Sequence, residues 1–154
     1  MDLQQTADKL TERFGREAKL GVILGSGLGE YYEAMTDTIS VPYREIDGFP
    51  ESTVPGHAGE WIMGSLYGVP TVMMRGRFHI YEGHPAQVLA LPIRVMRAMG
   101  VKKLIVTNAC GGIREDFQAG DLMLIEDQIN FAGYNPLIGP NDERWGPRLS
   151  LIHI

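Results

Sequence analysis

A single cysteine, Cys110, among 154 residues leaves no internal disulfide, and no group of histidines and cysteines has zinc-ligand spacing. A reducing compartment and no structural metal are the expectations. Lysine and arginine form no block and the formal net charge is −5, so there is no electrostatic footprint for a nucleic-acid backbone. No apolar stretch approaches the roughly 18 to 20 residues needed to cross a bilayer, and the polar start MDLQQTADK lacks the apolar centre of a signal peptide. Nucleic acid and membrane are therefore not expected partners, and a cytoplasmic location is expected. What remains is an ordinary globular composition, 44% hydrophobic and 21% charged, sufficient for one compact α/β domain with a real core.

Leu3, Leu10, Phe14 and Ala18 recur near helical spacing, which predicts an amphipathic surface helix over residues 2–18. Lys19 to Leu24 reads as a short buried strand running into GSGLGEYYEAM, a glycine turn followed by a helix. A second apolar strand runs from Val69 to Met74. Pro85 then opens a helix whose apolar face, Val88, Leu89, Val95, Met96 and Met99, ends at Gly100, with a kink expected at Pro92. Lys103 to Thr107 is another strand, closed by the turn cluster Asn108 to Gly112, and a further strand is expected around Leu122 to Glu126. Alternating strands and helices predict a mixed, mostly parallel sheet flanked by helices, with ligands beyond the carboxyl ends of strands.

Three such ends carry residues that packing does not ask for: Ser26, then Arg77 with His79, then Asn108 with the backbone of Ala109 and Cys110. Glycine-rich turns leave backbone N–H groups free to meet an oxyanion, while serine, arginine and histidine supply hydroxyl, fork and imidazole donors. Together they describe a phosphate pocket. In an extended GRFHIYEGH, residues 76–84, alternation puts Arg77, His79 and Tyr81 on one side. Each feature has a plain alternative. GSGLG by itself is as readily a structural turn, and it is not the dinucleotide fingerprint, because the third glycine falls at Glu30. His57 in GHAG reads alone as a loop bystander, and Cys110 reads as a small packed side chain rather than a nucleophile.

In order, GSGLG at 25–29, STVPGHAG at 52–59, GRFHIYEGH at 76–84, TNACGG at 107–112 and NPLIGPNDERWG at 135–146 resemble purine nucleoside phosphorylase, trimeric 6-oxopurine-preferring branch. The resemblance implies that phosphate attacks the N-glycosidic bond of a purine nucleoside, with no cofactor beyond phosphate as co-substrate. It implies a phosphate site of Ser26, His57, Arg77, Phe78, His79 and the Ala109 N–H, with Arg77 and His79 in the catalytic role. Tyr81 and Asn108 would meet the nucleoside, Glu82 would orient the basic loop, and Phe131, or else Tyr134, would reach a neighbouring subunit's ribose unless both aromatics pack at home. Methylthioadenosine phosphorylase is the alternative enzyme, and a non-catalytic phosphate- or nucleoside-binding fragment is the alternative class. The family pattern continues past this chain into the residues that read the base, so residues 1–148 are expected to be the N-terminal portion of a single truncated domain, and LSLIHI, 149–154, a tail foreign to it.

Overall fold

The computed structural model describes residues 2–50 and 58–148. Helix α1, Leu3–Phe14, starts where the Asp2 carboxylate accepts from the backbone N–H of Gln4 and Gln5 at 3.0 and 3.3 Å. It ends earlier than the expected residue 18, because the chain turns left-handed at Gly15, φ 73°, whose N–H bonds back to Thr11 and Glu12. Its buried face, Ala7, Leu10 and Phe14, packs with Val95, Met96 and Met99 from the helical segment after Pro85. That segment is broken rather than kinked. Helix α2, Ala86–Leu89, stops at Ala90, and α3, Leu91–Ala98, restarts with Pro92 in its first turn, where proline lacks only an N–H that needs no partner.

Five strands form one mixed sheet: β1 Leu20–Leu24, β2 Met35–Pro42, β3 Glu60–Leu66, β4 Val69–Arg75 and β5 Lys103–Val106, in the order β2-β3-β4-β1-β5. Parallel pairing is confined to β4-β1-β5, and β2-β3-β4 is an antiparallel meander. Its β3-β4 hairpin is closed by a two-residue turn, Tyr67 at φ 49° and Gly68 at φ 81°, the conformation that joins twisted neighbouring strands most directly. One face of the sheet packs Ile23, Trp61, Met63, Val72 and Met74 against the helices, and the other gathers Val22, Leu24, Met35, Ile62 and Met73. This alternation is the period-2 signature of strands buried on both sides.

The expected helix after the glycine turn is a short 3-10 helix, Gly29–Ala34. No strand forms over Leu122 to Glu126: these residues lie outside any regular element, with Leu122 96% and Leu124 95% exposed. An extended apolar run becomes a strand only when another backbone takes its N–H and C=O groups, and no described residue does so here.

Candidate functional site

The parallel register decides where the site lies. Leu24 pairs with Arg75 and Ile23 with Val106, so β1, β4 and β5 end side by side and release residues 25, 76 and 107 from one edge. The turn after β1 is closed by the Leu28 N–H donating to the Gly25 carbonyl at 3.1 Å, which leaves Ser26 exposed at its tip. A Cβ on Gly25 would sit 2.6 Å from the Thr107 carbonyl oxygen and 2.8 Å from Asn108 Cα. Only glycine lets these two backbones approach so closely. The contact is sealed by hydrogen bonds: the Gly25 N–H donates to Thr107 Oγ1 at 2.8 Å, and that hydroxyl donates to the Ile23 carbonyl at 3.0 Å.

Arg77 joins the same junction, donating from Nη1 to the Thr107 carbonyl at 3.2 Å. Its neighbour Arg75 makes a useful contrast. Arg75 is neutralised by Glu30 at 2.6 Å and Glu60 at 3.1 Å and lies over the Tyr32 ring at 4.5 Å. Among the described residues Arg77 has no carboxylate partner, although it is half-buried. A guanidinium so placed keeps most of its fork available for an anion. Asn108 and Ala109 are exposed beside it, with the Ala109 N–H in no backbone hydrogen bond among the described residues.

Phe78 turns the other way. Its ring is 8% exposed and meets Tyr43 edge-on at 5.0 Å and Phe49 at 5.9 Å, so its side chain belongs to the core and only its backbone can serve an anion. The alternation across Arg77, Phe78 and His79 thus holds, but it stops at His79: Ile80–Glu82 is a 3-10 turn, not extended chain. Tyr81 still reaches His79, by stacking on it at 4.7 Å and 16°, and is 73% exposed. Glu82 orients this loop, its carboxylate accepting from the His79 N–H at 2.6 Å. The loop is anchored from below by Tyr43, whose hydroxyl donates to the Gly76 carbonyl. Burial, with Glu60 nearby, pushes that phenol well above its ordinary value, so it stays protonated and able to donate.

Two expectations fare differently. Cys110 is exposed, not packed, because nothing in the described structure covers the chain after β5. Phe131 is 95% exposed, so it does not pack at home, and Tyr134 is half-exposed. His57 lies outside the described residues. Thr107 and Tyr43 were not singled out from sequence; a hydroxyl closing an apolar run beside a turn is the signal Thr107 offered. Cavities of about 260 Å³ beside Ile93, Met96 and Leu104, and of about 550 Å³ beside residues 123–127, contain none of the candidate residues. Among the described residues no three metal-ligating side chains gather, and no helix is long and apolar enough to cross a membrane.

The model of the phosphorylase superfamily matches residues 19–153, and the chain belongs to that family. Within it the likeness is to purine nucleoside phosphorylases. Purine nucleoside phosphorylase 1 of Geobacillus stearothermophilus is 51% identical over 146 residues, covering 95% of this chain and 53% of the relative. The Bos taurus enzyme is 50% identical over 150 residues, covering 96% and 52%. Isoform 2 of the Schistosoma mansoni enzyme, solved with cytosine and ribose-1-phosphate, superposes with a TM-score of 0.88 at 42% identity over 96% of this chain and 53% of that one. The chain spans about half the length of the curated relatives it matches.

Proposed function

We propose that the chain carries the phosphate-handling portion of a purine nucleoside phosphorylase, which splits purine (deoxy)ribonucleosides with inorganic phosphate into free base and (deoxy)ribose 1-phosphate. The observation that carries this reading is the junction of Ser26, Arg77 and Asn108 at the ends of three parallel strands, with a half-buried guanidinium that has no carboxylate partner among the described residues. A phosphate dianion held there would stand against the developing oxocarbenium charge at the anomeric carbon. Ser26, Arg77, His79 and the Ala109 N–H hold it, the Phe78 side chain being committed to the core; His57 belongs to the same set by motif. Phosphate acts as co-substrate, with no cofactor and no metal. Tyr81 and Asn108 meet the nucleoside, and Phe131, bare on its own chain, covers a neighbour's ribose in a homotrimer of cytoplasmic subunits working in purine salvage. The names of the relatives favour the purine nucleoside reading over methylthioadenosine phosphorylase.

Calorimetric titration of the chain with inorganic phosphate tests this. The folded wild type should bind, and Arg77→Ala should weaken binding by about 1.5 to 3 kcal/mol, the range for a hydrogen bond to a charged group. Absence of phosphate binding by the folded wild type, or equal binding by Arg77→Ala, contradicts the assignment. In an assay of the longer protein, turnover of inosine rather than methylthioadenosine is the expected preference.

A further inference from the structure

We infer that Thr107 is a positioning residue for the anion site, holding the glycine turn and the Arg77 guanidinium in a fixed relation. The inference rests on the phosphate reading above and adds to it a residue that need not touch the anion. Thr107 is bonded on every polar atom it has. Its N–H and its hydroxyl both donate to the Ile23 carbonyl at 3.0 Å, the hydroxyl accepts from the Gly25 N–H at 2.8 Å, and the carbonyl accepts from Arg77 at 3.2 Å. One residue therefore joins the end of β1, the turn that carries Ser26 and the Arg77 side chain, which has no carboxylate partner among the described residues.

The chemistry asks for a hydroxyl on a stiff side chain. The single hydroxyl proton goes to Ile23, so the lone pair facing Gly25 is free to accept, and the β-branch restricts the rotamer that serves both. Gly25 is buried, and its missing side chain lets it rest on the Thr107 and Asn108 backbone. Valine would keep the shape of Thr107 and leave the Gly25 N–H without its acceptor, so that the turn must shift to find another. A shift there moves Ser26 directly and moves the carbonyl that orients Arg77.

The test is phosphate titration of the full chain and its variants. Thr107→Val should weaken phosphate binding about 5- to 50-fold, and Thr107→Ser should restore it to within about threefold of wild type. In a cycle with Ser26→Ala the two losses should be less than multiplicative, because Thr107 acts through the position of Ser26. In the wild type, phosphate should also slow hydrogen exchange at the Gly25 amide, a readout independent of whether the valine variant folds. A folded Thr107→Val that binds phosphate as wild type does, fully multiplicative losses, or a Gly25 amide indifferent to phosphate each overturns the inference and leaves the phosphate reading intact. A wild type that binds no phosphate removes both.

Discussion

Two apolar runs of similar composition have opposite fates in this chain. VMM at 72–74 lies in β4 with hydrogen-bonded neighbours on both sides, and Met73 is fully buried. LMLI at 122–125 has none among the described residues, and Leu124 is 95% exposed. The second run keeps the alternation of a strand, Met123 and Ile125 being less exposed than Leu122 and Leu124. Sequence pattern therefore supplies the capacity to be a strand, and pairing makes one. The boundary between the two regimes is β5, whose Leu104, Ile105 and Val106 remain 38%, 50% and 54% exposed because only β1 flanks it. The candidate site sits on that boundary. Its Arg77 and Gly25 belong to the packed half, and its Asn108 and Ala109 lead into the bare one.

The largest expected effect sharpens this contrast in stability. Trp61→Ala in the core should lose about 3 to 5 kcal/mol in urea denaturation, and Leu124→Ala should stay within about 0.5 kcal/mol. Comparable losses at both positions would break the comparison and place Leu124 in a packed layer. Next in size, Gly25→Ala should cost about 1 to 3 kcal/mol, because its Cβ would press on rigid backbone and not on a side chain that can move. Retention of wild-type stability would mean that the two strand ends are not in contact.

Tyr43→Phe should be smaller, about 1 to 2 kcal/mol at neutral pH, for leaving the Gly76 carbonyl without its donor. Its signature is the pH dependence. The folded chain holds the phenol neutral well above its ordinary pKa of 10.0, whereas the unfolded chain ionises there. The contribution is therefore complete below pH 10 and declines as pH rises beyond it, and Tyr43→Phe should flatten that alkaline decline. An unchanged alkaline slope in the variant would remove Tyr43 from the account. Smallest in stability is Ile105→Lys on the open edge, expected within about 0.5 kcal/mol, yet it should reduce concentration-dependent association in light scattering, since charge on an edge strand discourages pairing with other chains.

These contrasts also explain what could be read in the sequence. β1, β4 and β5 were legible because each is a short apolar run closed by glycine or asparagine, and their ends carry Ser26, Arg77 and Asn108. β2 was not: MTDTISVP is half polar and becomes a strand by lying against β3. The sheet is mixed, as the alternation of strands and helices predicts, but the hairpin of β3 and β4 is not legible, because the turn at Tyr67 and Gly68 announces it only through backbone angles. The resemblance places Phe78 with its neighbours at the anion, whereas alternation sends its ring into the aromatic core with Tyr43 and Phe49. Tyr43 and Thr107 act through hydrogen bonds to residues 30 or more positions away, which no local pattern encodes.

The most direct measurement is a phosphate titration of the isotopically labelled chain followed by amide resonances. Saturable shifts are expected at Ser26, Gly27, Arg77, His79, Asn108 and Ala109, with Ile113 to Phe131 unmoved. Shifts confined to the latter segment, or no saturable shift at the three strand ends, would contradict the phosphate reading.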